Sequence, residues 1–490
     1  MTKKKIIIVG AGPGGLTAAM ILAKQGHEVV VYEKQNYIGG RTSPHKIGDF
    51  TFELGPTFVM LPKIFEEVFT LAGKKFSDYV QMKRLDILYG LHFDDGRYFP
   101  VYFNKKKLKK EIARLFPGDE LGYDRYMAEQ KIKFEKMYPC LQVPYSNLKS
   151  YLSPKLLSAI PYMQLFSSLY DVLTKYFKYH EMRIAMTFQA KYLGMSPWTC
   201  PGPFSILSYI EHAFGVYHPI GGVHKLTEAM AKVAIENGAQ IKLQQGVGQL
   251  LVEDGRAAGV KLESGKIVRA DQVIMNADFG MAMTKLVPES ARPSWTDKKL
   301  VKRPFSCSTF MIYLGLKKKY NFDHHNIFFA ADYKKNIEQI FKEGTLPEDP
   351  SFYVQNAAVT DDSLAPAGKS TIYILVPVPN LEAGIDWDKE KMRYRDLVLD
   401  KIAAKTPMKD IREQIEVEEI ITPRQWRDDK YVYKGAVFNL AHTLGQMLYL
   451  RPHNQFEDIP GLYIVGGGTH PGSGLPTIVE SGRIVAQMIK

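Results

Sequence analysis

The segment at residues 3–33 constrains the fold of this chain more than any other stretch. An apolar, β-branched run at residues 6–9 is typical of a parallel strand buried on both faces, and a glycine turn ends it at once. Residues 16–24 then carry apolar side chains at helical spacing, and residues 28–32 form a second apolar run. This order of strand, turn, helix and strand predicts a β-α-β unit.

The glycines of the turn, Gly10, Gly12 and Gly15, have the spacing G-x-G-x-x-G. Gly10 permits a tight turn, Gly12 lets the backbone approach a pyrophosphate at the positive end of the helix, and Gly15 allows close packing of helix and strand. Glu33 ends the second strand, where an acid accepts a hydrogen bond from an adenosine ribose. Glycines alone often mark only a turn. Here the strand, the turn, the helix, the second strand and the acid at its end all match a dinucleotide-binding unit, so the segment predicts dinucleotide binding.

A second glycine pair and an arginine follow at Gly39, Gly40 and Arg41, and a unit that binds only a nicotinamide dinucleotide does not need them. The arrangement resembles the superfamily of flavin-binding amine oxidases and carotenoid desaturases, in which the cofactor is FAD. The resemblance implies that Gly40 and Arg41 lie at the cofactor, with Arg41 near its phosphates; a surface arginine in a loop is the alternative. It also implies an α/β fold of amine oxidase or GR2 type, with a discontinuous Rossmann-type FAD-binding domain and a mixed sheet-plus-helical substrate domain.

The stretch at residues 48–57 alternates aromatic and polar side chains between glycines, as a strand does. It is similar to the G-F-x-F-D-x-G-P-T stretch of the superfamily, where the backbone and the threonine line the flavin site. The cofactor-binding residues that this similarity implies are Gly55, Pro56 and Thr57. Asp49 and Glu53 depart from the family pattern, which weakens any specific role for Glu53. A role of the strand in the fold alone is the alternative.

A second glycine-rich turn follows a predicted strand at residues 461–465 and precedes a helix predicted from Thr477. Free backbone N–H groups at such a helix start can donate to the ribityl chain or ring carbonyls of a flavin. The sequence G-G-G-T-H-P-G-x-G-L-P resembles the carotenoid desaturase signature. The resemblance implies that the cofactor is bound by Gly466, Gly467, Thr469, Gly474, Leu475 and Pro476. His470 is the candidate general base, with a positional or hydrogen-bonding role as the alternative, and the sequence identifies no other catalytic residue.

Flavin-domain character also returns at residues 219–247, where a helix is followed by a strand predicted at residues 239–247. In the superfamily a strand at this place brings backbone groups to the adenine, which by position implies Val247. Turns at D-G and S-G separate the apolar segments that follow. These segments predict a small antiparallel meander at residues 249–252, 258–262 and 272–275.

The 490 residues exceed what one hydrophobic core supports, so more than one domain is expected. Residues 99–215 are predicted to form a helical substrate and membrane-docking region, in which two stripes at helical spacing run through residues 160–177. Residues 288–436 carry long aromatic strands and predict the sheet of a substrate domain. The discontinuous FAD-binding domain is predicted at residues 1–98, 216–287 and 437–490.

The charge balance of 64 basic and 52 acidic side chains, a net charge of +12, favours an anionic partner. No nucleic-acid-binding motif is present, so we expect no nucleic acid and favour an anionic membrane surface. No run reaches the roughly 18–20 apolar residues that span a bilayer. Cys140, Cys200 and Cys307 lie far apart without metal-binding spacing, so no metal site is expected. We expect a cytoplasmic protein, associated peripherally with the cytoplasmic membrane.

The family resemblance extends over nearly the whole chain. Four further stretches look like the carotenoid desaturases that act on the C30 precursor 4,4′-diapophytoene, at residues 305–308, 332–337, 384–387 and 449–452. The resemblance implies an FAD-dependent enzyme that introduces conjugated double bonds, giving diaponeurosporene or diapolycopene. Hydride would leave an allylic carbon for flavin N5, and the neighbouring carbon would lose a proton. Quinone and oxygen are the candidate acceptors that reoxidise the flavin.

The insolubility of such a substrate is the argument for membrane contact. At ~0.8 kcal/mol per CH₂-like carbon, the transfer of about 30 carbons from water into hydrocarbon is favourable by roughly 24 kcal/mol, so the substrate stays in a membrane. We therefore expect residues 100–180, with the lysine cluster at residues 105–110, to dock on a bilayer. Alternatives are a C40 phytoene desaturase, a diapocarotenoid oxidase, an amine oxidase, and a non-enzymatic prenyl-binding carrier of the GDP-dissociation-inhibitor type.

Overall fold

The computed structural model describes residues 2–489. Its strands, in chain order, are β1 (Lys5–Val9), β2 (Glu28–Tyr32), β3 (Pro44–Ile47), β4 (Phe50–Glu53), β5 (Met82–Arg84), β6 (Ile87–His92), β7 (Tyr98–Tyr102), β8 (Tyr217–Pro219), β9 (Gln240–Lys242), β10 (Val247–Glu253), β11 (Arg256–Leu262), β12 (Ile267–Arg269), β13 (Gln272–Met275), β14 (Ser308–Leu316), β15 (His325–Phe328), β16 (Phe352–Asn356), β17 (Ser370–Val378), β18 (Ile415–Ile421) and β19 (Leu462–Ile464). Its helices are α1 (Pro13–Lys24), α2 (Pro62–Leu71), α3 (Lys105–Leu115), α4 (Asp119–Met137), α5 (Pro154–Met163), α6 (Leu169–Thr174), α7 (His180–Ala185), α8 (Ile206–Phe214), α9 (His224–Glu236), α10 (Phe279–Lys285), α11 (Asp297–Val301), α12 (Tyr333–Glu338), α13 (Trp387–Lys405), α14 (Ile411–Gln414), α15 (Pro423–Asp428) and α16 (Leu475–Met488).

A five-stranded parallel sheet has the order β19-β13-β1-β2-β9. The apolar run of β1 is buried on both faces: Ile6 and Ile8 share a core with α1, α9 and α16, while Ile7 and Val9 share one with β10, β11 and α10. A central strand covered on both sides needs such an uninterrupted apolar sequence. The predicted β-α-β unit and the α/β fold class are confirmed.

The strands β10, β11 and β12 form a separate three-stranded antiparallel sheet. The prediction was wrong for residues 272–275, which form β13 and pair in parallel with β1 and β19 instead of ending this meander. A short apolar run fits either kind of strand, so the sequence could not distinguish the two. The strand predicted at residues 239–247 is also interrupted, because β9 ends at Lys242 and Gln244 has a positive φ of 55°.

A seven-stranded sheet has the order β18-β14-β17-β16-β15-β6-β7, and only the β15–β6 pair among these is parallel. Its strand β14, which lies next to the edge strand β18, is buried along its whole length. The strands β6 and β7, within residues 87–102, belong to this sheet although the predicted FAD-binding domain extends to residue 98. We propose that the substrate domain begins at β6; the other predicted domain boundaries stay predictions.

The helices α3, α4, α6, α7 and α8 pack against β6 and β7 through a shared apolar core, whereas α5 buries its apolar side in a separate small core. The two stripes predicted through residues 160–177 do not lie on one helix, because α5 ends at Met163 and Gln164 takes a left-handed conformation with φ 53°. The more apolar stripe is therefore divided: Leu169 and Leu173 on α6 are buried, whereas Phe166 before that helix is fully exposed.

Candidate functional site

The main cavity has a volume of about 780 Å³ and lies at the carboxyl ends of the central parallel strands. Gly10, Asn276 and Gly466 line it, and they follow β1, β13 and β19 directly or within two residues. Tyr353 and Tyr373 of the seven-stranded sheet line it from the other domain. Ligands bind at this edge of open α/β sheets. The volume falls within the ~300–1,000 Å³ of typical ligand pockets.

The first glycine turn opens the backbone to this cavity. Gly10 has a φ of +97°, which a residue with a side chain rarely adopts. A Cβ at Gly12 would lie 2.9 Å from Asn276 Nδ2, and one at Gly15 would lie 2.6 Å from Gly10 O. Because Gly12 and Pro13 line the cavity, the N-terminus of α1 borders it with its amide groups and its positive dipole end.

Glu33 lies at the carboxyl end of β2 and lines the cavity with a buried carboxylate. Its Oε2 accepts a hydrogen bond from Ala11 N at 2.8 Å, and its Oε1 accepts one from Gln35 N at 2.9 Å. These bonds fix the carboxylate, and each oxygen retains a second acceptor position for a ligand hydroxyl. The contact with a ribose stays a prediction.

Arg41 lines the cavity but is already paired. Its Nη2 lies 2.6 Å from Asp278 Oδ2, and its Nη1 donates to Val437 O. Asp278 also accepts a hydrogen bond from Asn439 Nδ2 at 2.9 Å. Burial raises the pKa of Asp278, and the Arg41 guanidinium opposes that shift. Part of the Arg41 charge is therefore balanced before any phosphate arrives.

The second glycine turn meets the first at the same cavity. A Cβ at Gly14 would lie 3.1 Å from Gly466 N, and a Cβ at Gly482 on α16 would lie 2.4 Å from Gly14 O. The absence of side chains lets α1 and α16 cross closely. The residues of this second turn that line the cavity are Gly466, Gly467, Ser473, Gly474, Leu475 and Pro476.

Arg451 holds the second turn in place from behind. Its side chain is almost completely buried, and within residues 2–489 it forms no salt bridge with a carboxylate. Instead it donates to four backbone carbonyl groups, those of Thr469 at 3.0 Å, Gln446 at 3.1 Å, Leu440 at 3.3 Å and Gly467 at 2.7 Å. Burial lowers the pKa of Arg451 to about 9.

The part of the cavity that faces the seven-stranded sheet is mainly apolar. We call it the aromatic wall, and it is formed by Phe58, Met60, Phe188, Ile327, Phe352, Tyr353 and Tyr373. Lys191 also lies here, 4.8 Å from the centre of the Tyr333 ring. Burial lowers the pKa of Lys191 to about 7, so a large fraction of it is uncharged at neutral pH.

Among the other predicted site residues, Gly40, Gly55, Pro56, Thr57 and Val247 line the cavity. Thr469 and His470 do not: the Thr469 hydroxyl donates to Pro452 O at 2.6 Å, and the His470 ring packs 4.9 Å from the Tyr145 ring. Burial lowers the pKa of His470 to about 3. The ring lies outside the lining of the cavity, which favours the positional alternative, and the general-base role of His470 stays a prediction. The predicted contacts of Gly40, Gly55, Pro56, Thr57, Val247 and Thr469 with a cofactor stay predictions.

Sequence reasoning missed Asn276, Asp278 and Arg451. Asn276 directly follows the buried strand β13 and Asp278 lies two residues further on, which is a usable signal, but β13 had been assigned to the wrong sheet. Arg451 carries no local signal, since its acceptors lie up to 18 residues away in the chain. Within residues 2–489 no group of three His, Cys, Asp or Glu side chains is arranged to hold a metal ion.

Two glycine turns that border one cavity, with a second sheet closing it, define a two-domain oxidoreductase that uses a dinucleotide cofactor. Residues 13–490 match the family described as flavin containing amine oxidoreductase, and the chain belongs to this family.

Two curated relatives cover nearly the whole chain. A 4,4′-diapophytoene desaturase (4,4′-diapolycopene-forming) from Methylomonas is 48% identical over 99% of this chain and 95% of its own. An all-trans-zeta-carotene desaturase from Myxococcus xanthus is 38% identical over 99% of this chain and 93% of its own. Both are carotenoid desaturases by name, so the similarity is to that branch of the family.

Solved structures show the same fold at low identity. A putrescine oxidase bound to putrescine superimposes with a TM-score of 0.63 at 15% identity, covering 100% of this chain and 99% of its own. A Rab GDI from Plasmodium falciparum superimposes with a TM-score of 0.52 at 11% identity, covering 86% of this chain and 88% of its own. The fold alone therefore does not separate an oxidase from a GDI-type protein.

The chain is an FAD-dependent oxidoreductase, and the cavity fits that cofactor. A Cβ at Gly12 would collide with Asn276, so only the bare backbone is exposed beside the start of α1, as a pyrophosphate requires. A buried acid stands at the end of β2, and a second helix begins at the other turn. These donors and acceptors match the phosphate, ribose and flavin parts of FAD.

Proposed function

We propose that this chain is an FAD-dependent desaturase that introduces conjugated double bonds into the C30 carotenoid precursor 4,4′-diapophytoene. The observation that carries the proposal is the 48% identity over 99% of the chain to the Methylomonas desaturase of that substrate. The aromatic wall supports it, because a hydrocarbon has no polar group for a polar pocket to bind. The similarity to the Myxococcus enzyme makes a C40 carotene the second candidate substrate.

The residues that would hold FAD come from both glycine turns. The start of α1 at Gly12 would bind the pyrophosphate, Glu33 the ribose, and the backbone at Gly467 and Leu475 the flavin end. The bound flavin supplies a hydride acceptor. The protein orients the substrate along the aromatic wall and excludes water, and such a reaction needs no nucleophilic side chain.

Contact with a phospholipid bilayer is part of this proposal. The helix α5 buries Leu156, Ala159 and Met163 on one side and still exposes apolar side chains on the other. The Tyr151 ring, just before this helix, lies 6.3 Å from the Tyr449 ring, and Leu448 and Tyr449 pack against the small core to which α5 contributes. The exposed side chains form what we call the apolar patch, namely Leu148, Leu152, Leu157, Ile160, Tyr162, Phe166, Leu444 and Leu450.

Lys149 and Lys155 are exposed in the same segment and favour anionic headgroups. The lysine cluster predicted to dock lies on α3, where Lys105 and Lys109 both pair with Asp124. We therefore place the docking surface at the apolar patch rather than at residues 105–110. None of the helices within residues 2–489 is both long and apolar enough to cross a membrane.

The function is tested with FAD-loaded protein and liposomes that contain 4,4′-diapophytoene under anaerobic conditions. We expect bleaching of the flavin absorbance and a product with a longer conjugated system, and a slower reaction with the C40 precursor phytoene. A faster reaction with phytoene would support the second candidate. A colourless protein that retains no FAD would contradict both and favour a GDI-type carrier. Mixing the reduced protein with a quinone or with oxygen identifies the faster acceptor.

Docking is tested by sedimentation with liposomes that contain anionic lipids. The double variant Leu152→Asp/Phe166→Asp places two charges in the apolar patch, and we expect most of the bound fraction to be lost. Ile267→Asp is the matched control, because Ile267 is equally an exposed apolar residue but lies on β12 of the small sheet. Equal binding of the double variant and the control would contradict the assignment.

A further inference from the structure

Lys191 places an amine beside the aromatic wall and has no partner of opposite charge. It lies in a short 3₁₀ helix, Phe188–Leu193, and both Lys191 and Phe188 line the cavity. Within residues 2–489, Lys191 Nζ forms no salt bridge and no hydrogen bond. Its lone pair or its protons are therefore available to a ligand in the cavity.

The ring of Tyr333 lies next to this amine. Lys191 Nζ is over the ring, 4.8 Å from its centre. Tyr333 is buried at the start of α12, and neighbouring rings hold it in place: its ring centre lies 5.3 Å from that of Phe329 and 5.9 Å from that of Trp198. The face of an aromatic ring attracts a cation. The site therefore tolerates a charged Lys191 as well as a neutral one.

Lys191 changes its charge close to neutral pH. Burial lowers its pKa to about 7, and the neighbouring Cys307 opposes that shift. Burial raises the pKa of Cys307 to about 12 and holds the pKa of Tyr333 well above its usual value, so both groups are protonated at neutral pH. Neither group supplies an anion that would fix the charge of the lysine.

Two further ionisable groups border the same 3₁₀ helix. Glu211 on α8 accepts a hydrogen bond from Gln189 Nε2 at 2.7 Å. His442 lies at the backbone of Leu193, and burial holds its pKa well below its usual value, so the imidazole is neutral. The charge of Lys191 is therefore governed by burial and by what occupies the cavity.

Desaturation needs a proton acceptor, because a carbon that loses hydride becomes part of an allylic cation. The wall also contains Tyr353 and Tyr373, but burial raises the pKa of both, so they present protonated hydroxyl groups. We propose that the amine of Lys191 is the base that takes this proton from the substrate. The inference rests on the proposed function.

The transfer needs no reactant beyond the substrate and the flavin. One substrate carbon gives its hydride, with two electrons, to the flavin. The C–H bond of the neighbouring carbon breaks, its electron pair forms the new double bond, and its proton bonds to the lone pair of Lys191 Nζ. The resulting ammonium lies over the Tyr333 ring and later releases its proton to solvent. A base whose pKa is near the working pH suits both transfers.

The first test measures the charge of Lys191 without turnover. In FAD-loaded protein labelled with ¹³C-lysine, the Cε signals are followed between about pH 5 and 9, and the Lys191 signal is the one that Lys191→Met lacks. We expect its midpoint near pH 7. Lys232, exposed over the Tyr79 ring at 5.5 Å, should stay protonated throughout. Lys133, whose pKa burial also lowers to about 7, keeps its signal in the variant.

The second test follows flavin bleaching by 4,4′-diapophytoene in one anaerobic turnover. In wild type the rate constant should rise ~10-fold per pH unit below about pH 7 and level off above it, because only the amine accepts a proton. Lys191→Met keeps the length of the side chain without a basic atom and should be ~100-fold slower at about pH 8, without this rise. Lys191→Arg keeps a cation that does not lose its proton and should be equally slow.

Two comparisons separate base catalysis from a structural role. Lys232→Met removes an exposed lysine that also lies over a tyrosine ring but outside the cavity lining, and it should keep the wild-type rate and pH profile. Glu53, whose pKa burial raises to about 8, titrates in every variant, so its effect does not distinguish them. A slow Lys191→Met whose rate still rises toward neutral pH would show a packing role and overturn the proposal.

The remaining outcomes are equally decisive. A Lys191 midpoint above about pH 9, a wild-type rate that does not change with pH, or a Lys191→Arg variant as fast as wild type overturns the base role while the proposed function stands. If 4,4′-diapophytoene does not bleach wild type, the proposed function fails and this inference fails with it.

Discussion

Glu53 is a buried acid whose protonation makes the stability of this protein depend on pH. It ends β4, is 3% exposed, and its Oε1 accepts a hydrogen bond from Val223 N at 2.6 Å. Burial raises its pKa from 4.5 to about 8, the nearby Asp361 adds to the shift, and backbone hydrogen bonds from Val223 and His224 oppose it. The folded protein therefore keeps a proton on Glu53 at neutral pH.

The sign of the effect follows from this raised pKa. Between pH 4.5 and about 8 the folded state holds a proton that the unfolded state has lost, so the free energy of unfolding falls as the pH rises through this window. At ~1.4 kcal/mol per pH unit the loss amounts to about 4–5 kcal/mol, and it levels off above the folded pKa. Glu53→Gln keeps an oxygen acceptor for Val223 N but replaces the titrating carboxyl group with a neutral amide. The variant should therefore not show this decrease in the free energy of unfolding between pH 4.5 and about 8.

The assay is urea unfolding of wild type and Glu53→Gln between about pH 5 and 9. Buried histidines such as His212, whose pKa burial lowers to about 3, titrate in both proteins and cancel in the difference. We expect the variant to gain stability relative to wild type steadily up to about pH 8. A difference that does not change with pH would refute the reasoning, because Glu53 would then be ionised in the folded state.

Two further substitutions test the glycine turns. Arg451→Met removes the donor of four backbone carbonyl groups, and at ~1–3 kcal/mol for each buried acceptor left without a donor it should lower the free energy of unfolding by at least ~3–5 kcal/mol. We expect weaker FAD retention on gel filtration; unchanged retention would show that Arg451 is not needed to keep the second turn in its cofactor-binding conformation. Gly15→Ala places a Cβ 2.6 Å from Gly10 O and should cost ~1–3 kcal/mol and weaken FAD binding, whereas Gly445→Ala, with no atom within 4 Å, should change neither.

The parts of the fold that short-range sequence patterns specify could be predicted. The strand, turn and helix around Gly12 depend on neighbours in the chain, because a close turn needs glycine and a doubly buried strand needs an apolar run. The same holds for the second turn: a helix was predicted to follow it from Thr477, and the helix in the structure begins two residues earlier, at Leu475. These two local units are enough to locate the main cavity.

Long-range pairing could not be read from the chain. The four residues of β13 look the same in an antiparallel meander and in a parallel sheet, and only pairing with β1 distinguishes the two. His470 stood in a cofactor signature, yet it does not line the cavity and its ring packs against that of Tyr145. Tyr353 and His325 are separated by 27 intervening residues and meet only because β15 and β16 are antiparallel neighbours.

The distribution of charge around the cavity connects the fold with the proposed reaction. The dinucleotide side carries Glu33, Arg41 and Asp278, held by backbone groups and by each other, and it can receive a charged cofactor. The aromatic wall carries little charge, so a hydrocarbon that binds there removes water from few polar groups. A transient positive charge on the substrate gains no strong partner in this wall. A reaction that forms such a charge must remove a proton quickly.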